Sequence, residues 1–332
     1  MISKPTICPW LNDKRWVYSI TFDEALADLH QFAIPILDEH QVPGHLEVVV
    51  GQMGEVRKLG ASSFNGYRHM NAGELKDMLA RGWGVGNHTW SHEVIHPGDV
   101  KREIGQAKDV LEAAIDQPIT VYCSAGDNTN MAPHILDACR QYGYLGAMSL
   151  TDALNRPGDD DLLWINRTFL HDQGYGPFFS EFDPFRNIAH AKYDRGWLVD
   201  YLHCPFEEPV HRNKDCSAAQ LRRRIETVVS EGSDEVWLAR VEEVVDYRYV
   251  CRCAKVESVP AEAGRTSWRI AADDVHPAVT RYTLTWRLPE GATRATLDGR
   301  PIEVAAGLVD IDMSRPHILS VVQAGSSTET SS

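Results

Sequence analysis

Apolar positions along the first 250 residues switch repeatedly between strand spacing and helix spacing, and each switch predicts an element. Trp16–Phe22 is rich in β-formers and reads as a strand, and Glu24–Glu39 then carries apolar residues at helical spacing. Gly44–Val50 is a second strand, introduced by the turn pair Pro43-Gly44. Asn71-Ala72-Gly73-Glu74 has the form of a capping box, with Leu75, Met78 and Leu79 on one face of the helix it opens. Trp83–Asn87 is a third strand. Asp99 caps a long helix with Val100, Ile104, Ala107, Val110, Leu111 and Ala114 facing inward, stopped by Pro118. Ile119–Cys123, Tyr144–Ser149, Leu162–Phe169 and Trp197–His203 continue the strand series, with helices at Pro133–Tyr142 and Ser217–Ser230. Glu235–Ala239 leads into a last helix near Val241–Arg248.

Repeated β-then-α units imply a parallel sheet, and about 235 residues of them favour an α/β fold closed into a distorted (β/α) barrel over an open sheet. In such a barrel chemistry sits at the C-terminal strand ends, where Asp23, His88, Cys123, Ser149 and His203 all fall. From about residue 252 the pattern changes to short strands between Gly and Pro turns: Trp268–Ala271, Arg281–Arg287, Thr293–Leu297, Ile302–Val304 and His317–Val322. The expected organisation is a barrel over 1–250, a small antiparallel β module over 251–325, and a Ser/Thr-rich disordered tail over 326–332.

Composition narrows the partners. A formal net charge of −14 argues against nucleic acid and anionic membranes, and no apolar run is long enough to span a bilayer. The N-terminus lacks the apolar core of a secretory signal, and seven cysteines show no CxxC pair or regular framework. Reduced thiols and a cytoplasmic location are expected, while the oligomeric state, including a homo-oligomer, stays open.

Two short segments carry the chemistry: Thr21-Phe22-Asp23-Glu24-Ala25 and Gly86-Asn87-His88-Thr89-Trp90-Ser91-His92. One carboxylate and two histidines form a facial ligand set for Zn²⁺ or another divalent transition metal, and the second carboxylate is then free to act as a base on water. Spacing alone proves little, because 14 histidines in 332 residues produce roughly half an i,i+4 pair by chance. The chain also offers a rival, His92-Glu93-Val94-Ile95-His96, the zincin signature. That signature needs a continuous helix, and Pro97-Gly98 directly follows His96, so a protease is the disfavoured reading.

The two segments, with the run Leu79-Ala80-Arg81-Gly82-Trp83-Gly84-Val85 that leads into the second, resemble the polysaccharide deacetylase family (carbohydrate esterase family four, the NodB-homology family). Its first motif is Thr-Phe-Asp-Asp-Gly and its second His-(Ser/Thr)-x-x-His. Tyr201-Leu202-His203 resembles its late Leu-x-His motif. The resemblance implies a deacetylase-type barrel, Asp23 as catalytic base, Glu24, His88 and His92 as metal ligands, and His203 as general acid. It implies removal of a small acyl group, N-acetyl above all, from an amino sugar or related carbohydrate. Three departures stand out: Glu24 replaces an aspartate, Cys123 lies near the place of the third motif's arginine, and the fourth motif is represented only by Asp152 or Asp161 near Trp164. Arg167 could supply the missing guanidinium. Trp90, Cys123, Asp127, Asn128 and Arg167 are candidate substrate contacts, and Tyr175, Phe178, Phe179 and Phe182 could stack on a sugar ring. The alternatives are a hydrolase of small cyclic or ureido amides, as in allantoinase-like relatives, and a non-catalytic carbohydrate-binding protein on the same barrel.

Overall fold

The computed structural model describes residues 3–58, 60, 62–159, 161–174, 179–262 and 264–323. The chain divides into two compact units, one of Arg15–Val245 and one joining the residues up to Lys14 to those from Asp246 onward.

In the larger unit eight parallel strands form one curled sheet: β1 (Trp16–Asp23), β2 (Gly44–Val48), β3 (Gly84–Asn87), β4 (Val121–Cys123), β5 (Gly146–Met148), β6 (Thr168–Phe169), β7 (Trp197–Leu202) and β8 (Val236–Leu238). The order is β5-β4-β3-β2-β1-β7-β6. One edge of β1 takes β7 along nearly its whole length, and the other edge is shared, β8 pairing Trp16–Tyr18 and β2 pairing Ile20–Asp23. The run 162–169 joins the two ends of this sheet. The Ala147 N–H donates to the Leu162 carbonyl (2.9 Å) and the Ser149 N–H to the Ile165 carbonyl (2.8 Å), while Thr168–Phe169 pair with β7. The expected distorted barrel is thereby formed.

Side-chain alternation sorts the two faces. Trp16, Tyr18, Ile20 and Phe22 of β1 join the core packed under the helices, with Leu46, Val85, Tyr122 and Leu198 from neighbouring strands. The opposite parity points inward and is polar: Ser19, Thr21 and Asp23 on β1, His45 and Glu47 on β2. His45 Nδ1 lies 2.5 Å from Glu47 Oε1 and its Nε2 lies 3.0 Å from Glu242 Oε2. Burial alone would lower the His45 pKa, but Glu47 and Glu242 outweigh it and raise it to about 10, so the ring is charged. The glycines of β3 make room for this group. A Cβ on Gly84 would stand 2.2 Å from the His45 ring, and one on Gly86 2.3 Å from Glu47 Oε2.

Two expected helices differ. The Glu24–Glu39 helix starts late, because Glu24 and Ala25 take left-handed φ (72° and 49°), and is split into Leu29–Phe32 and Ile34–Glu39, where Pro35 restarts the second piece near its N-terminus. The helix expected after Asp99 begins as a wider π-type turn over Lys101–Gln106 and continues as Ala107–Ile115.

In the smaller unit the expected antiparallel strands form a five-stranded sheet in the order Ala254–Val259, Thr266–Ala272, His317–Gln323, Ala292–Leu297, Arg300–Ile302. A three-stranded sheet orders Thr6–Ile7, Thr283–Arg287 and Leu308–Asp312. The division at 1–250 and 251–325 is thus corrected: the first residues leave the barrel because Thr6–Ile7 pairs with Thr283–Arg287. The tail 326–332 lies outside the described residues. Among the described residues no helix is long and apolar enough to cross a membrane.

Candidate active site

Asp23 ends β1 and follows Ser19 and Thr21 to the inner face, where it is buried. Arg167, delivered by the run that closes the sheet, forks it: Nη1 donates to Oδ1 (2.7 Å) and Nη2 to Oδ2 (3.3 Å). The guanidinium is itself fixed by the Ser149 carbonyl (3.0 Å) and sits over the Tyr201 ring (4.3 Å). Burial would raise the Asp23 pKa; the Arg167 charge, then His88, outweigh it and hold it at about 2. Asp23 is therefore ionised.

Glu24 comes one residue later, in a left-handed turn, and is equally buried. Arg57 holds both its oxygens, Nε on Oε2 and Nη2 on Oε1 (2.5 Å). Arg57 is anchored in turn, its N–H donating to the Tyr67 carbonyl (2.7 Å) and its carbonyl accepting from Gly66 (3.0 Å).

His88 leaves the end of β3 with its N–H on the Val48 carbonyl (2.8 Å). Its Nδ1 faces the Cys123 carbonyl (3.2 Å), which leaves Nε2 for other partners. His92 sits 5.0 Å away, ring to ring, with Nε2 3.6 Å from Glu24 Oε1. Burial lowers the pKa of both rings, that of His92 to about 3 with His88 adding to the effect, so both are neutral. Thr89 and His92 also have left-handed φ (70° and 61°), so each of the two segments read from the sequence carries two such residues. Strain of this kind collects where function over-determines the backbone. Here Glu103 does the holding: its carboxylate accepts from the Trp90 and Ser91 N–H groups (2.9 Å each) and from Ser91 Oγ (3.0 Å). No helix covers residues 92–96, and Glu93 and His96 are exposed, so the zincin geometry is absent.

His203 follows β7. Asp215 Oδ1 accepts its N–H (2.6 Å) and faces its Nδ1 (3.3 Å), and the ring stacks on Phe64 with centroids 4.6 Å apart. Burial would lower the His203 pKa, yet Asp215 raises it above the ordinary imidazole value. Asp23, Glu24, Arg57, His88, His92 and His203 line one cleft of about 730 Å³.

The other candidates do not belong to the cleft lining among the described residues. Cys123 is buried, its Sγ donating to Asp23 Oδ1 at 3.7 Å, and burial pushes its thiol pKa far up, which makes it a packed, protonated thiol. Trp90 packs on Gly51, where a Cβ would meet its Nε1 at 2.8 Å. Asp127 is exposed and accepts from the Thr129 N–H (2.7 Å). Asn128 pins the chain after β5 through Leu150 (2.8 Å) and Thr151 (3.2 Å). Among the described residues, neither Trp90 nor Asp127 nor Asn128 belongs to the cleft lining. Phe179 is exposed, Phe182 packs against the core, and Tyr175 and Phe178 lie outside the described residues. Asp152 pairs with Arg186, and Asp161 accepts from the Leu163 N–H (3.1 Å). Arg57, Phe64 and Asp215 are site residues that the sequence patterns did not mark; all three come from irregular chain without periodicity.

The expected metal cradle is tested by its donor atoms. Two neutral imidazoles, one oriented by a carbonyl, suit a metal. The carboxylate does not, because Arg57 holds both its oxygens. Among the described residues the trio whose ligand atoms all lie within 4.8 Å of one another is Asp23, His88 and Cys123, without Glu24 or His92. In that trio Arg167 already forks the carboxylate and the thiol is protonated. Two carboxylates, two guanidiniums and two neutral rings leave no net negative charge for a dication. The set Glu24, His88 and His92, as arranged, does not fit one.

Comparison with known proteins places these features. Among curated proteins none matches this chain. Solved structures that align with it include deacetylase PplD of Streptococcus pyogenes in complex with acetate, at 19% identity and TM-score 0.39, covering 45% of this chain and 62% of that one. A Mycobacterium smegmatis protein described as a polysaccharide deacetylase aligns at 17% identity and TM-score 0.49, over 79% of this chain and 100% of that one. A family 4 acetyl xylan esterase of Clostridium thermocellum, in complex with a cobalt ion, aligns at 17% and 0.43, over 69% and 89%. The family model described as polysaccharide deacetylase matches residues 12–146, which hold β1 to β4, Asp23, Glu24, His88 and His92. Over that stretch the chain is similar to the polysaccharide deacetylase family.

Proposed function

We propose that the chain hydrolyses a small acyl group, N-acetyl above all, from an amino sugar or related carbohydrate. The observation that carries this reading is a pair of opposed titratable groups on one cleft. Arg167 keeps Asp23 ionised, and Asp215 favours the protonated form of His203. Environments that push two pKa values apart assign a base and an acid. Asp23 takes a proton from water as its oxygen bonds the acyl carbon, and His203 gives a proton to the nitrogen as the carbon–nitrogen bond breaks. The products are a carboxylic acid and a free amine. Phe64, Phe169 and Tyr201 add aromatic surface to a largely polar lining, a combination that suits a sugar ring.

The test is acetate release from N-acetylglucosamine oligomers by wild type, Asp23→Asn and His203→Ala. Each variant is expected to lose about 10²-fold or more in kcat. Wild-type rates in both variants would sink the assignment, and release from cyclic ureido amides alone would change the substrate. The seven cysteines stand as thiols rather than disulfides, which supports a cytoplasmic setting; recovery of the protein from culture supernatant would overturn that part.

A further inference from the structure

We propose that Arg57 supplies the positive charge for which a metal ion would otherwise serve, so that this chain carries out hydrolysis without a bound metal. The inference rests on the hydrolase reading above. A hydrolytic metal brings positive charge to the developing oxyanion and deprotonates water. The first contribution is already present. The Arg57 guanidinium is 3% exposed, lines the cleft, and is locked to Glu24 beside His92. Its Nη1 reaches Asn65 only at 3.4 Å, so N–H groups remain for a substrate oxygen. Held in place at the cleft wall, such a preorganised donor stabilises an oxyanion by hydrogen bonding.

The second contribution falls to Asp23. Water oxygen bonds the acyl carbon and its proton passes to Asp23, while the carbonyl electron pair moves onto the oxygen facing Arg57. That pair returns as the carbon–nitrogen bond breaks, and the amine leaves with the His203 proton. A dication bound by Glu24, His88 and His92 would have to break the Arg57–Glu24 fork and leave a guanidinium buried beside it. Such an uncompensated buried charge is strongly unfavourable.

Two measurements decide the question. The full chain, stripped with chelator, is titrated with Zn²⁺ by calorimetry. No saturable site is expected, whereas equimolar binding that His88→Ala weakens by about tenfold or more would overturn the inference whatever the activity. Arg57→Ala, and Arg57→Met should the first fail to fold, are expected to gain Zn²⁺ affinity by about tenfold or more as Glu24 is released. Acetate release by wild type is then followed with and without excess chelator. Rates within about twofold support the inference; a loss of about tenfold, restored by Zn²⁺ or Co²⁺, overturns it and leaves the hydrolase reading standing. No release under either condition would sink the hydrolase reading instead, and the Zn²⁺ titration would still decide on the metal.

Discussion

Asp23 and His203 each owe their protonation state chiefly to one neighbour, so removing that neighbour has a signed consequence. The Asp23 pKa is depressed in the folded state, so its contribution to stability is present above the ordinary carboxylate value and fades as pH falls towards about 2. Arg167→Gln leaves that carboxylate buried without its fork. We expect a loss of about 3–5 kcal/mol in denaturant unfolding at neutral pH, and a new acid limb in kcat/KM as burial takes over and raises the Asp23 pKa. His203 has the opposite sign: its pKa is raised, so the stabilisation is full below the ordinary imidazole value and is lost as pH climbs through the folded value. Asp215→Asn should move the alkaline limb of kcat/KM to lower pH; an unmoved limb would show that His203 is not the acid. These residues were unequally visible beforehand. Asp23, His88 and His92 stood out because motif and strand end coincide. Arg167 was suggested only by the missing third-motif arginine, and Arg57 and Asp215 by nothing, since Arg57 sits in irregular chain and its ion pair 33 residues back to Glu24 leaves no periodic trace.

Among the elements, β2 and β3 show how a glycine pattern is read only with its neighbour in view. Trp83–Asn87 read as a third strand leading into a motif, whereas both its glycines are the space into which His45 and Glu47 project. Gly84→Ala should therefore lower stability by about 1–3 kcal/mol through overpacking, although alanine is the smallest possible change. The charged His45 carries its own pH signature. With a folded pKa of about 10, its contribution is full below the ordinary imidazole value of roughly 6.5 and disappears as pH rises to about 10. Urea midpoints falling across that window in wild type, and less so in His45→Gln, are the expected result. Strand and helix existence was legible almost throughout, because burial on one face imposes a period. The broken helix after Asp23 was not, because its apolar spacing continues across a left-handed turn at Glu24 and Ala25 that the spacing cannot register.

At the scale of the whole molecule, barrel class followed from the β-then-α alternation, but the unit boundaries did not. Hydrophobic periodicity is local, and no local signal says that Thr6–Ile7 pairs with Thr283–Arg287. The larger unit is an insertion between two separated pieces of the smaller one. On the ribosome this order sets a schedule. Thr6 is made first, and Arg287, its partner, follows about 280 residues later, some tens of seconds at ordinary rates of synthesis. The barrel has everything it needs well before then. Nascent chains arrested once Val245 has cleared the exit tunnel should hold a protease-resistant barrel while the segment before Arg15 is still cut. Only the last stretch of translation makes that first segment part of a fold.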